Sequence, residues 1–96
     1  MPTLVEALKD QDDLVREHAA ESLGEIGDAV AVPHLARACE DSAKLVRRDA
    51  VRSLGQLGPA AKAALPAVEK LINDKEELVR DAAKTALRSI DPDRRE

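Results

Sequence analysis

Hydrophobic positions recur at helical spacing along the chain, and one pattern is written three times. The stretch at 14–27, LVREHAAESLGEIG, returns as LVRRDAVRSLGQLG at 45–58 and as LVRDAAKTALRSID at 78–91. In each copy, apolar residues at i, i+4, i+8 and i+11 fall on one face of an α-helix. The pattern predicts three buried stripes: Val15, Ala19, Leu23 and Ile26; Val46, Ala50, Leu54 and Leu57; and Val79, Ala83, Leu87 and Ile90.

A shorter apolar helix is predicted before each of these copies. The segments at 1–10, 32–41 and 65–74 each contain an i, i+4 apolar pair and end in aspartate. A proline lies in the first predicted turn of each, where its missing N–H costs nothing. These prolines are Pro2, Pro33 and Pro66.

The repetition predicts an all-α solenoid of three stacked helix–turn–helix units and six helices. The copies lie 31 and then 33 residues apart, a period typical of arrays whose units bury their apolar faces against each other. The predicted units are 1–27, 28–58 and 59–91, followed by a short polar tail at 92–96.

Polar residues and glycines predict how the second helix of each unit begins and ends. Side-chain oxygens at the N-cap accept orphan backbone N–H groups, and glycine is favoured just past a C-terminus. Gly24 and Gly55 lie inside their helices, at a cost of about 1 kcal/mol each relative to alanine, so close contact with the next unit is expected there. The predicted caps are Asp12 or Asp13, Ser42 and Asp74 at the starts, and Gly27 and Gly58 at the ends.

Composition narrows the possible functions. The net charge of −4 and the absence of Phe, Tyr and Trp argue against nucleic-acid binding, which uses basic faces and aromatic stacking platforms. A single cysteine permits no internal disulfide, and no apolar run approaches the length of a membrane span. We expect a cytoplasmic protein without a membrane segment or cofactor.

The repeated pattern resembles HEAT repeats, specifically the short HEAT-like type of phycobilisome lyases. The residues that carry the resemblance are P-x-L-x-x-A-L-x-D followed by LVR-x-x-A-x-x-x-LG-x-x-G, together with GPAAKAALPAVEKL at 58–71. The resemblance implies that the first helices lie on the convex side and the second helices on the concave side. It also implies a structural ladder of Asp–Arg pairs six residues apart: Asp10 with Arg16, Asp41 with Arg47, and Asp74 with Arg80.

If the second helices line a concave face, the helical period predicts which side chains point outward. The charge alternates along the array: residues 1–31 carry 2 basic and 8 acidic side chains, 32–62 carry 6 and 3, and 63–96 carry 7 and 8. Such a face suits a charged or helical partner protein, although a solvated face of mixed charge has the same pattern. The candidate partner-binding residues are Leu14, Glu17, His18 and Glu21; Leu45, Arg48 and Arg52; and Leu78, Asp81 and Thr85. Further outward positions are Glu25, Asp49, Gln56, Ala82 and Ser89.

The three leucines that precede the buried valines have two interpretations. Leu14, Leu45 and Leu78 either form an exposed apolar stripe for a partner or pack between neighbouring helix N-termini. Replacing all three by serine separates the two, because only the packing role predicts a large fall in melting temperature.

The sequence predicts neither a catalytic site nor a metal site. Glu17-His18 is similar to a degenerate form of the His-Glu pairs with which deoxyhypusine hydroxylase, a HEAT-like enzyme, holds two irons, but the matching pairs here are Arg48-Asp49 and Asp81-Ala82. Cys39 falls on a core position, which favours an inert buried thiol. The predicted protein is not an enzyme.

Two other functions remain open from the sequence. The first is a structural or self-associating fragment of a larger HEAT-repeat protein, because the first unit has no capping residues while Lys84, Arg88 and Asp91 give the third unit the character of a terminal cap. The second is an accessory module of a lyase or a DNA-repair enzyme. The DNA-repair version predicts salt-sensitive duplex binding through Arg47, Arg48 and Arg52.

Overall fold

The computed structural model describes residues 3–94, which form a stack of helix pairs. Two short 3-10 segments, Ala29–Ala31 and Gly58–Ala64, lead into the first helices of units two and three, and no strand occurs within these residues. The predicted all-α solenoid of six helices is confirmed, while Pro2 lies outside the described residues. The helices are α1 (Leu4–Ala7), α2 (Asp13–Ile26), α3 (Val32–Ala38), α4 (Lys44–Leu57), α5 (Leu65–Leu71) and α6 (Glu77–Ile90).

The helices form two layers with the core between them. The long helices stack side by side, α2 on α4 and α4 on α6, while α1, α3 and α5 each pack on the long helix of their own unit. Small aliphatic side chains fill the core in place of aromatic ones, and a fully buried Val, Leu or Ile side chain is worth about 1.5–3 kcal/mol. The largest apolar side chains under 2% exposed are Leu35, Val46, Val51, Leu54, Val68, Val79 and Ile90.

The predicted buried stripes hold in units two and three, where all eight positions except the half-buried Leu57 are buried. In unit one the prediction is wrong for two residues, because Val15 is 37% and Ile26 63% exposed. Within the described residues no helix lies before α2 except α1, which has only four residues. The matching Val46 has a preceding long helix beside it, so an identical pattern gives different burial.

The ends of α2 follow the sequence. Asp12 is its N-cap, and its carboxylate accepts the Leu14 N–H at 2.9 Å. Gly27 and Gly58 follow α2 and α4 with φ of 76° and 64°, values that L-residues with a Cβ rarely adopt. Both predicted C-cap glycines are confirmed.

The N-caps predicted for α4 and α6 are wrong. Ala43 and Glu76 hold those positions, and neither caps its helix with its side chain. Asp41 and Asp74 lie two residues earlier and accept the N–H groups of Ala43 and Glu76, both at 2.9 Å. These aspartates shape the turn that enters the helix, an Asx-type bond that competes with direct capping, and Ser42 is exposed beside it.

The glycines inside α2 and α4 lie where neighbouring long helices are in close contact. A Cβ on Gly24 would lie 2.6 Å from the Cβ of Ser53, and one on Gly55 would lie 3.0 Å from the Cα of Ala86. The Ser53 hydroxyl uses this proximity to donate a 2.6 Å hydrogen bond to the carbonyl of Ala20. The close contact expected from the two glycines is confirmed.

The unequal spacing of the repeats is absorbed outside the long helices. All three long helices have 14 residues, and α3 and α5 both have 7. The 3-10 segment before α3 has 3 residues, whereas the one before α5 has 7. The stack therefore keeps its geometry while the connection varies.

Candidate functional site

The six Asp and Arg residues of the predicted ladder lie along the seam between units, but they pair differently from the prediction. Two of the three arginines bind the carboxylate of the next unit: Arg16 Nε donates to Asp41 at 2.8 Å, and Arg47 Nε to Asp74 at 2.9 Å. Within a unit, the arginine binds backbone carbonyls and not the carboxylate: Arg16 Nη1 donates to the carbonyls of Asp10 at 2.7 Å and of Gln11 at 3.1 Å. The six-residue spacing therefore reflects a main-chain anchor, and the ion pair crosses the unit boundary.

The electrostatics of this seam favour its charged form. The hydrogen bond to Asp41 raises the pKa of Arg16 above its ordinary value, despite the opposing effect of burial. Burial alone would raise the pKa of Asp74, but hydrogen bonds from Arg47 and the Glu76 amide, with the nearby positive charges, outweigh it and lower that pKa. Arg47 and Asp74 keep only 9% and 8% of their side chains exposed.

Arg80 and Asp10 are the two ends of the ladder. Arg80 Nη1 donates to the carbonyl of Asp74 at 2.8 Å, and within residues 3–94 it meets no carboxylate within 4.0 Å. Asp10 accepts the N–H of Asp12 at 2.9 Å and has no arginine before it in the described chain. These residues hold the stack together.

The outward side of α2, α4 and α6 is the remaining candidate, and we call it the second-helix surface. It comprises the ten residues that the sequence singled out for partner binding. Three of them, Glu17, Arg48 and Leu78, are half-buried, whereas the other seven are exposed. The exposed ones are Leu14, His18, Glu21, Leu45, Arg52, Asp81 and Thr85.

Asp49 departs from the prediction, since it is buried at 2% exposure although the helical period places it outward. Arg48 folds over it, with Nε donating to Oδ1 at 3.1 Å, and Arg52 Nη1 lies 3.9 Å from the same oxygen. Arg48 Nη2 lies 3.1 Å from the same oxygen and 3.9 Å from Glu17 Oε1 on α2. Asp49 Oδ2 is buried without a hydrogen-bond partner among the described residues. This cluster fills the junction between α2 and α4.

The equivalent junction between α4 and α6 is open and forms a groove. Ala82 stands where Asp49 stands one unit earlier, and the groove has a volume of about 380 Å³. Small residues form its floor, while charged and polar side chains form its walls. The lining consists of Gly55, Ala82 and Ala86 below, with Arg52, Gln56, Asp81, Thr85 and Ser89 around them. The helical period predicts that several of these point outward, but it does not predict the groove, whose sequence features include Ala82 in place of Asp49 and Ala86 in place of Ser53.

The three leucines do not form a uniform stripe. Leu14 is 59% exposed and Leu45 is 36% exposed, whereas Leu78 packs against the core. Leu14 and Leu45 border a smaller depression of about 230 Å³ between the N-terminal ends of α2 and α4. The packing role therefore fits Leu78, and exposure at a surface fits Leu14.

Cys39, the single cysteine of the chain, lies in the core. Cys39 is 3% exposed, and burial, with a smaller contribution from Glu40, raises the pKa of its thiol to about 12. Residues 3–94 contain no group of three or more His, Cys, Asp or Glu side chains placed to hold a metal ion. In the same part of the chain, no helix has both the length and the apolar character needed to cross a membrane.

The fold and its surface define a class: a helical-repeat solenoid that presents one charged, grooved face. Comparison of the chain with known protein families and solved structures agrees with this class. The family model described as HEAT repeats matches residues 1–55 and again 37–95. The chain therefore belongs to the HEAT-repeat family.

A solved structure of human deoxyhypusine hydroxylase in complex with glycerol is similar to this chain. It superposes with a TM-score of 0.83 at 29% sequence identity and covers 94% of this chain. The chain spans only 31% of the length of that enzyme. No curated protein sequence matches the chain.

Proposed function

We propose that this chain is a non-catalytic interaction module that binds a partner protein through the second-helix surface. The residues that make the contact are those of its charged ridge: Glu17, Glu21, Arg48, Arg52, Asp81 and Thr85. In this proposal the repeats are of the short phycobilisome-lyase type, and the surface is the concave side of the solenoid.

The observation that carries the proposal is the alternation of exposed charge across three adjacent helices. Glu21 on α2 and Asp81 on α6 are exposed carboxylates, and Arg52 between them on α4 keeps 57% of its side chain exposed. Asp81 has no ion pair within 4.0 Å in the described chain. Complementary charge of this kind fixes the register of a partner and speeds encounter.

The structure weakens the DNA-binding alternative. Arg47 is committed to Asp74 and Arg48 to Asp49, so of the three arginines only Arg52 extends into solvent. Duplex binding depends on several cations that neutralise phosphates together. One exposed arginine between two carboxylates does not provide such a patch.

A second candidate function is a structural module within a larger enzyme. The likeness to deoxyhypusine hydroxylase over about a third of that chain supports it. In that case the second-helix surface faces another part of the same polypeptide or complex. The two candidates predict the same contact residues but different partners.

The test compares two variants in which an arginine is replaced by glutamate, so that both change the net charge equally. Tagged wild-type protein, Arg52→Glu and Arg37→Glu are used to capture proteins from a lysate of the source cells. Arg37 is exposed on α3 in the other layer, so it controls for charge alone. The proposal requires a partner that is retained by Arg37→Glu and lost with Arg52→Glu, whereas equal capture by all three proteins refutes it.

A further inference from the structure

The open groove between α4 and α6 specifies what kind of segment the surface accepts. We propose that it receives one aliphatic side chain from an α-helix of the partner, and that this helix lies across the second-helix surface with a basic–acidic–basic charge pattern. The inference rests on the proposed function and adds the shape and charge order of the partner.

The groove combines an apolar floor with charged walls. Gly55, Ala82 and Ala86 bring no polar side-chain atom to the floor, while Arg52 lies on one wall and Asp81 on the other. A volume of about 380 Å³ has room for a leucine-sized side chain. Burial of such a side chain provides affinity, and the two walls determine which flanking charges are tolerated.

The floor is apolar because several residues differ between the repeats, among them Ala86 in place of Ser53. At the α2–α4 junction the equivalent space holds the Asp49 carboxylate and the Arg48 guanidinium, joined at 3.1 Å. At the α4–α6 junction alanine replaces the aspartate, and Asp81 replaces the arginine. The sequence therefore closes one junction with an ion pair and leaves the other for an apolar group.

The spacing of the long helices selects an α-helix as the occupant. Packed helices lie about 8–10 Å apart, so Glu21 and Arg52, which hold equivalent positions on α2 and α4, are separated by about that interval. Asp81 lies one turn before the α6 position that matches Arg52, which adds about 6 Å along the helix and makes its separation from Arg52 about 10–12 Å. Seven residues of an α-helix span about 10.5 Å, which places complementary charges at i, i+7 and i+14. A residue at i+11 projects from the same face, about 16 Å along, midway between the second and third charges and above the groove.

Extended partners do not meet the same requirement. Three residues of a β-strand span about 10 Å, but an odd step turns the side chain to the opposite face. Polyproline II has three residues per turn and about 9.3 Å of rise, so it places charges at i, i+3 and i+6. The residues between i+3 and i+6 then point to its other sides, and none reaches the groove.

The test uses a synthetic helical peptide with this pattern: lysine at position i, glutamate at i+7, leucine at i+11 and a second lysine at i+14. Binding to labelled peptide is followed by fluorescence anisotropy at low salt. We expect the matched peptide to bind at least tenfold more tightly than one with every charge reversed. Replacing its leucine by serine is expected to weaken binding about tenfold, which corresponds to about 1.4 kcal/mol.

Protein variants then assign the contacts. The triple variant Glu21→Lys, Arg52→Glu and Asp81→Lys is expected to prefer the reversed peptide, which a merely unfolded protein cannot do. Ala82→Leu fills the groove and is expected to abolish the advantage of leucine over serine, whereas Ala63→Leu, on the opposite layer, preserves it. Circular dichroism confirms that each variant is folded.

The outcomes separate this inference from the function on which it rests. Equal affinity for the two charge patterns, an absent leucine effect, no binding of the helical peptide, or tighter binding of a polyproline peptide with the same charges would each overturn it. The proposed function is tested separately by the capture experiment with Arg52→Glu. If a partner is captured in an Arg52-dependent way but the helical peptide does not bind, only the helical occupant is refuted.

Discussion

Replacing Asp74 by alanine tests whether the ladder across the units stabilises the fold. The change removes both hydrogen bonds from Arg47, at 2.9 and 3.2 Å, and the bond from the Glu76 amide at 2.9 Å. It also leaves a guanidinium with 9% side-chain exposure without its carboxylate. Asp10→Ala is the matched control, because Asp10 occupies the same motif position and its carboxylate loses only the hydrogen bond donated by the Asp12 N–H.

The expected magnitudes follow from this difference. Removing one partner of a buried ion pair costs about 3–5 kcal/mol, and the slight exposure of this pair places Asp74→Ala near 3 kcal/mol. In a domain of this size that corresponds to a fall in melting temperature of roughly 12–24 °C. Asp10→Ala loses one hydrogen bond, about 0.5–1.5 kcal/mol.

Urea unfolding followed by circular dichroism measures both free energies of unfolding. The reasoning is refuted if the two variants lose the same stability within about 1 kcal/mol. A further check is Arg47→Met combined with Asp74→Ala, which removes both charges. We expect this double variant to be more stable than Asp74→Ala alone, because no charge is left unpaired.

Three other predictions follow from the same packing. The native pKa of Asp74 is lowered from 3.8, so its charge stabilises the fold above that value, and this stabilisation is lost as the pH falls through the native pKa. The free energy of unfolding of Asp74→Asn should therefore vary less between pH 5 and 2 than that of wild type, and an identical pH dependence contradicts this. Gly24→Ala should lower stability by about 1–3 kcal/mol despite a better helix propensity, since the added Cβ meets the facing helix, and a higher melting temperature would show that the interface yields. Leu14→Ser should cost under about 1 kcal/mol and Leu78→Ser clearly more, because only the second packs against the core; equal losses in thermal melts would contradict the structure.

The sequence predicted the architecture well because the repeated stripe depends on local helix geometry. Helix number, paired units, terminal glycines and close approach at Gly24 and Gly55 all follow from periodicity and from the cost of glycine inside a helix. Val15 and Ile26 were wrongly expected to be buried, because burial requires a neighbouring helix that the stripe itself does not specify.

The surface was less predictable because it depends on contacts between units. The helical period predicts the direction in which Asp49 points from the axis of α4. It does not show that α2 and the Arg48 side chain cover this residue. The same limit applies to the ladder: the six-residue spacing identified Arg16 and Asp10 together, whereas the carboxylate that binds Arg16 is 25 residues later. The groove required both neighbouring helices to be in place.

The ladder also bears on cooperativity. Each bridging arginine is anchored to a carbonyl of its own unit and to a carboxylate of the next, so its energy belongs to the coupling between neighbours and not to either unit alone. In a nearest-neighbour description of repeat proteins, a large coupling term relative to the intrinsic stability of a unit suppresses partly unfolded states. Units of about 30 residues, too small to hold a core alone, are thereby expected to melt together in one transition, and weakening a single rung should allow an end unit to fray first.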